Sequence, residues 1–402
     1  MLNTRKFHPL EGGVRHYAWG ERSSQGKTPF IASLLKREPG DEPWAELWLG
    51  AHPSLPGLLV TEEGRVPLDQ AIAQAPGQWL GERTAAVSGE LPFLLKVLAC
   101  SAPLSIQSHP DADSAVGLHA ARPDLYPDAH DKTEIMIALE PFQALAGFRG
   151  LCDIREDVEK VAAFQPWLAL WHYGEPTLRR LVESLFSLNV VPLAAMLTQA
   201  LQELQGRPEE ALSPADRLFL SLSREYPGDR GTLFAYLLNQ VELAPGQALF
   251  LAPNSPHAYQ RGAGIECMTN SDNVIRAGLT PKAVDVPTLL KTVDFDATGY
   301  RTVTPKVSSQ PQGGGRSLLY DAPTRKFRLT FYEDAPCLLQ EHPDALGIFL
   351  VVRGEALLQE GEGEARRLAP AGSAWVRPAA LREGAVLPAA PGTLVVWAQS
   401  AF

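Results

Sequence analysis

Short apolar runs recur along the chain, each bounded by Pro, Gly or polar clusters: "PFLLKVLA", "IMIAL", "QALFLA", "FRLTFY", "IFLVV" and "TLVVWA". Runs of this length between turn signals read as β-strands. "KFRLTFYE" alternates, with Phe327, Leu329 and Phe331 on one face and Lys326, Arg328 and Thr330 on the other, as a strand with one buried face requires. From about residue 151 to 240 the period changes. Leu178, Leu181, Val182 and Leu185 fall at i, i+3, i+4 and i+7, the stripe of an amphipathic helix. "SPADRL" sets Ser213 before a proline and an acid, a helix-start signal. The pattern predicts a mainly β chain interrupted by a helical block, with the polar, glycine-rich "SSQPQGGGRS" (308–317) as a boundary before the last β segment.

An internal echo refines this. "LAPGQALFLAPNSPH" (243–257) and "LAPAGSAWVRPAALR" (368–382) align without a gap at an offset of 125. Phe250 corresponds to Trp375, Leu251 to Val376 and Pro253 to Pro378. Two units of turn, strand and proline turn suggest a duplicated β-sandwich or jelly-roll module. His257 of the first copy is Arg382 in the second, so a metal held through His257 would have no counterpart ligand there.

Composition narrows the function classes. The 402 residues exceed what one core usually spans, so two or three domains are expected. The formal charge of −10, with no basic stripe, argues against nucleic acid as the main partner. No run of about 18 apolar residues predicts a membrane span, and the N-terminal "MLNTRKFHPLEGG" lacks an apolar leader core. Cys100, Cys152, Cys267 and Cys337 are scattered, which reads as reduced thiols in a cytoplasmic protein without a Cys-based zinc site.

The chemistry concentrates elsewhere. In "PLSIQSHPDAD" Gln107 and His109 are two residues apart, on one face if the stretch is extended. They could be a hydrogen-bonded structural pair or half of a metal site. Glu134 opens the apolar run in "HDKTEIMIALEPF", and His257, like His109, sits beside a proline. Two imidazoles, a carboxylate and an amide oxygen suit a divalent ion such as Zn²⁺, with room for a further oxygen ligand.

Taken together, "HYAWG", "PWAELWLGAHP", "PLSIQSHPD", "KTEIMIAL", "LAPNSPHAY" and "GIECMTNSDNVIRAGLTPK" resemble, in order, the signature blocks of the zinc-dependent type I phosphomannose isomerases of the cupin superfamily. The resemblance spans roughly residues 7–295 and is weaker beyond. It implies two cupin-type jelly rolls with an inserted α-helical domain: a catalytic roll from 1–150 and 240–307, the helical insertion at 151–239, and a degenerate roll without a metal site at 317–402. It implies reversible interconversion of mannose 6-phosphate and fructose 6-phosphate through a cis-enediol, one Zn²⁺ per chain, a phosphorylated hexose as partner, and a monomer. It carries the metal role onto Gln107, His109, Glu134 and His257, and a catalytic role onto Arg276. Trp19, Glu46, Lys96, Ser105, Lys132, Tyr259, Glu266 and Lys282 are implied in or near the pocket. The proton shuttle stays open among Glu266, Lys132 and a zinc-bound water. Arg276, Lys282 and Ser105 could receive the phosphate, though Arg276 could instead pair with Asp272. Trp19 and Tyr259 could form pocket walls. This chain departs from the common pattern where Asp131 and Thr133 replace a His and a Pro, and at Ser108, which alternation turns away from the ligand face.

Two other readings compete: a different metal-dependent cupin chemistry such as a dioxygenase, and a sugar-binding protein without catalysis. The glutamine among the ligands and the downstream cations favour a phosphorylated substrate.

Overall fold

The computed structural model describes residues 7–24, 26–173, 175–296, 300–309, 315–338, 346–360, 365–376 and 384–401. The chain is mainly β, and every strand pairing among these residues is antiparallel.

An 11-stranded sheet carries the chemistry-bearing motifs. Its central path runs from Tyr300–Val303 through Ala248–Leu251, Glu134–Ala138, His257–Thr269, Phe93–Cys100 and Glu46–Gly50 to Gly13–Arg15. The 13-residue strand His257–Thr269 extends past this path to pair with Phe142–Phe148 and Ile106–Ser108, and the latter pairs with Ile275–Gly278. A nine-stranded sheet is built mainly from residues 306–399. It also takes in the N-terminal strand Phe7–Glu11, where Phe7 pairs with Val376 and Leu10 with Leu59. A four-stranded sheet, Cys337–Leu338, Gly384–Pro388, Ala356–Glu360 and Arg366–Leu368, completes the β structure.

The helical block forms as the periodicity predicts. Leu181, Val182 and Leu185 are buried, and Leu178 packs against the same core. Ser213 caps the helix Pro214–Glu225 reciprocally: its hydroxyl accepts from the Asp216 N–H at 3.1 Å, and Asp216 Oδ2 accepts from the Ser213 N–H at 2.8 Å. No single helix among the described residues is long and apolar enough to cross a membrane.

The echo also reappears as structure. Ala248–Leu251 and Ser373–Val376 are both strands, at the same offset as the two sequence copies. Pro378 and Arg382 lie outside the described residues, as do residues 310–314 of the glycine-rich stretch. The strands flanking that stretch, Lys306–Ser309 and Arg316–Tyr320, pair with each other, so it bridges two neighbours of one sheet. Phe327, Leu329 and Phe331 are buried in the core between the large sheets. The opposite face of that strand is less polar than its alternation suggests, because Tyr332 packs into a second core with Phe349 and Trp397.

Candidate active site

Side-chain alternation separates two faces of the central sheet. Leu47, Leu49, Leu95, Val97, Ile135, Ile137 and Ile265 point to the core shared with the nine-stranded sheet. Their neighbours Glu46, Trp48, Lys96, Glu134 and Glu266 point the other way, and Trp48, Lys96, Glu266 and Met136 lie in one cross-strand row. Both faces are buried, which is why these strands read as continuous apolar runs broken by a few charges.

His109, Glu134 and His257 converge on this second face, their ligand atoms all within 4.8 Å of one another. His109 Nε2 lies 3.2 Å from Glu134 Oε1, and His257 Nε2 lies 3.3 Å from Glu134 Oε2. Each Nδ1 faces a carbonyl oxygen: that of Asn273 for His109 and that of Ser255 for His257, both at 2.9 Å. A carbonyl only accepts, so each neutral ring carries its proton on Nδ1 and presents a bare Nε2 lone pair to the carboxylate. Both Nε2 atoms and Glu134 Oε2 are buried without a hydrogen-bond partner. Lone pairs facing lone pairs in a buried space call for a cation between them. The donor set of two imidazole nitrogens and a carboxylate fits Zn²⁺.

Electrostatics keep the ligands in metal-binding form. Burial pushes the His109 imidazole down to about 4, with the Lys132 charge adding to the effect. Burial alone would raise the Glu134 carboxyl, but Lys132 and His109 outweigh it and hold it well below the usual carboxylate range. The Lys132 ammonium is 3.0 Å from Glu134 Oε1.

Gln107 joins through pairing. It stands opposite His257 on one side and opposite Arg276 on the other, giving a row Arg276–Gln107–His257 across three strands. Directly opposed residues share a face, so Gln107 borders the centre and Arg276 sits one strand beyond. Ser108 is fully buried on the opposite face, as alternation requires. Arg276 is half-buried, and burial lowers its pKa. Among the described residues its guanidinium has no ion pair or hydrogen bond; Asp272 instead engages His52 Nε2 at 3.3 Å.

A second charged group lies beside the centre. Lys96 is 3.0 Å from Glu266 Oε2 and 3.5 Å from Glu46 Oε1, and 5.1 Å above the Trp48 ring. Trp48 Nε1 donates to Glu46 at 2.7 Å. Burial alone would lower the Lys96 pKa; Glu266, Glu46 and Glu134 reverse it and keep the ammonium protonated. Burial raises the Glu266 carboxyl above its usual value against the pull of Lys96. The Tyr259 hydroxyl faces Glu266, and burial raises its pKa. A register shift between Tyr259 and Arg261 brings odd-numbered His257 and Tyr259 and even-numbered Glu266 to the same face of one strand. Trp19 packs against the apolar cluster containing Tyr259. Ser105 is half-buried just before Gln107's strand, and Lys282 is exposed with no side-chain partner among the described residues.

The supporting residues were not singled out by sequence. Asn273, whose carbonyl orients His109, is fully buried, and its amide donates to Asp128 O and His130 O. Asp128 also accepts from the Ser271 hydroxyl and the Asp272 N–H. Asn254, in the left-handed region at φ 64°, donates its N–H to His109 O at 2.6 Å and its amide to Asp111 Oδ2 at 2.6 Å, joining the two histidine loops. Asn273 stands within a motif block, but nothing in the spacing marks Asp128 as its partner.

The family profile described as phosphomannose isomerase type I, catalytic domain, matches residues 7–151. The mannose-6-phosphate isomerase of Rattus norvegicus is 34% identical over 400 residues, covering 90% of this chain and 92% of its own.

The chain belongs to the type I phosphomannose isomerase family.

The enzyme of the same name from Escherichia coli K12 is also 34% identical, over 91% of this chain and 94% of its own. A crystal structure of an alanine variant of phosphomannose isomerase from Salmonella typhimurium superposes with TM-score 0.84 at 29% identity, covering 99% of this chain and all of that one. A zinc-bound mannose 6-phosphate isomerase structure matches with TM-score 0.83 at 29% identity over 98% of this chain and 99% of that one. As a type I phosphomannose isomerase the chain is an aldose–ketose isomerase, and its histidine–glutamate–histidine cluster points to zinc.

Proposed function

We propose that this phosphomannose isomerase interconverts mannose 6-phosphate and fructose 6-phosphate at the His109–Glu134–His257 centre, with Gln107 as a further ligand and one Zn²⁺ per chain. The observation that carries the reading is the pair of bare, buried Nε2 atoms facing Glu134 beside two buried lysines. Bound zinc would supply Lewis-acid polarisation of the sugar's carbonyl and hydroxyl oxygens.

The protein's own groups do the rest. The isomerisation moves a proton between adjacent sugar carbons through a cis-enediol. Glu266, its carboxyl raised by burial, is suited to take and return that proton, since transfer is most efficient when the pKa approaches the working pH. Lys132, 3.0 Å from Glu134 Oε1, is suited to donate to the sugar oxygen as charge develops. Lys96 and Glu46 hold Glu266 in place. Arg276, free of other partners among the described residues, supplies a planar fork for an oxyanion or phosphate, with Lys282 and Ser105 at the phosphate end. Trp19 and Tyr259 wall the sugar.

We assign the catalytic unit to residues 1–150 and 240–307, a cupin jelly roll; the helical insertion to 151–239; and a degenerate, metal-free jelly roll to 317–402. The enzyme is read as a cytoplasmic monomer supplying precursors of GDP-mannose; its unpaired cysteines accord with a reducing compartment.

The test is turnover of mannose 6-phosphate before and after chelation, with metals restored singly. Activity that vanishes with chelator and returns with zinc supports the reading. One metal bound per chain, with no isomerisation of any hexose phosphate, defeats it.

A further inference from the structure

Arg276 and Lys282 lie on one continuous segment: the strand Ile275–Gly278, a loop, and the helix Val286–Thr292. Lys282 stands exposed in the middle of that loop. An exposed lysine on an unfastened loop samples many positions, and ordering it costs entropy each time a ligand binds. This loop is fastened at both ends.

The first fastening lies where the strand ends. Asp229 accepts the Thr280 N–H on Oδ2 at 3.2 Å and the Gly231 N–H on Oδ1 at 2.7 Å, so one carboxylate grips both segments. The segments pass closely: a Cβ on Gly278 would lie 2.5 Å from Gly231 Cα, and one on Gly231 would lie 2.5 Å from Leu279 N. Leu279 is held in the left-handed region at φ 53° with its side chain buried, a conformation that persists only where the surroundings impose it. The Thr280 hydroxyl then accepts the Lys282 N–H at 3.1 Å.

The second fastening is Asp285. Its Oδ1 accepts the Thr288 N–H at 3.2 Å and caps the helix. Its Oδ2 accepts from the Tyr126 hydroxyl at 3.1 Å and from Arg122 Nη1 at 3.2 Å. Tyr126 is only 1% exposed and shares an apolar core with Ile106, Ile275 and Leu289. Its N–H donates to Arg122 O at 3.0 Å, so both donors come from one turn, at the end of the helix Ala112–Ala121 that follows His109. Burial would raise the Asp285 carboxyl, but its hydrogen bonds from Thr288 and Tyr126 outweigh it and hold it below the usual range. The acid nearest to Lys282 in sequence is therefore occupied, and neither Lys282 nor Arg276 has a side-chain partner among the described residues.

We propose that Tyr126 and Asp285 are positioning residues for the substrate's phosphate: the buried Tyr126 hydroxyl, acting through Asp285, fixes the loop so that Lys282 and Arg276 meet the phosphate together. The inference rests on the reading of Lys282 and Arg276 as phosphate-binding groups. Neither Tyr126 nor Asp285 acts on the reacting carbons, so loss of either weakens binding of ground and transition states alike and spares the chemical step.

The experiment compares Tyr126→Phe and Asp285→Asn, which keep the buried ring and the helix cap, with Lys282→Ala, each loaded with zinc. Steady-state kinetics give KM and kcat for mannose 6-phosphate, and competition by inorganic phosphate gives its inhibition constant. The expected result for Tyr126→Phe and Asp285→Asn is a rise of about five- to tenfold in both KM and the phosphate constant, in the same direction as in Lys282→Ala, with kcat within about twofold of the parent. A merely structural role would lower the active fraction, reducing kcat and leaving KM and the phosphate constant at parental values; that result overturns the inference. A parental phosphate constant in Tyr126→Phe and Asp285→Asn beside a weakened one in Lys282→Ala overturns the inference alone and leaves the reading of Lys282 standing. A parental constant in Lys282→Ala overturns both.

Discussion

Lys326 Nζ lies 2.5 Å from Asp131 Oδ1, and both side chains are more than three-quarters buried. Lys326 leads into the Arg328–Glu333 strand of the nine-stranded sheet; Asp131 immediately precedes Lys132 on the segment that delivers Glu134. The contact ties the two halves of the molecule together at the active-site loop. Asp131 is also one of the two positions in this loop, with Thr133, where the motif resemblance leads one to expect a different residue. Thr133 donates its N–H to Thr269 Oγ1 at 3.2 Å, a bond a proline could not make.

Breaking that tie should loosen the loop. Lys326→Met leaves Asp131 with a partly buried, unpaired charge, which costs about 1–3 kcal/mol. We expect a lower urea midpoint and weaker zinc retention in Lys326→Met and in Asp131→Asn, with the double variant no worse than the poorer single one. Strictly additive losses would mean the two side chains act independently.

Asn273 should control metal affinity without touching the metal. Asn273→Ala removes the amide bonds that pin the turn carrying the carbonyl acceptor of His109. Loss of such an orienting contact weakens metal binding by about 10–100-fold. Competition with a chelating dye reads this directly; an affinity within twofold of the parent, about 0.4 kcal/mol, would show that the turn holds itself.

Chelated enzyme should lose stability in acid. His109 titrates near 4 when folded against an ordinary value of 6.5. Between these values the unfolded chain binds more protons, so stability falls as pH drops from about 6.5 towards 4 and is fully present above that window. The loss attributable to His109 is on the order of 3 kcal/mol. Urea midpoints measured across this range should flatten in His109→Gln; an unchanged slope would assign the effect to other groups.

Glu266→Gln should separate chemistry from metal binding. Loss of a general acid–base lowers kcat by about 10²–10⁴. Zinc content should stay near the parent value, because the histidines, Glu134 and Lys132 are untouched. Lys96 keeps Glu46 as partner. A kcat within a few-fold of the parent, with an unchanged pH profile, would move the proton-transfer role to another group.

Much of the fold was legible because alternation and periodicity report burial directly. The strand Glu134–Ala138, the leucine stripe of Leu178–Ser187 and the Ser213 cap follow from local chemistry and appear where the patterns put them. The motif words placed Gln107, His109, Glu134 and His257 near one another, and pairing and side-chain geometry bring them to one face.

Other features depend on contacts that leave no local trace. Phe7 pairs with Val376 across nearly the whole chain, and no period in either segment names its partner. The register shift after Tyr259 reverses which residues face the site, and it arises where the long strand changes pairing partners. The tautomers of His109 and His257 are set by backbone carbonyls at Asn273 and Ser255, whose positions exist only once the loops have closed. The sequence by itself determined the element types and the helical interruption, because those rest on spacing and periodicity, and its motif words named the candidate metal ligands. Tertiary structure alone decided which lone pairs meet, which lysine holds which carboxylate, and how Lys326 reaches Asp131, because these are set by the register and packing of segments far apart in the chain.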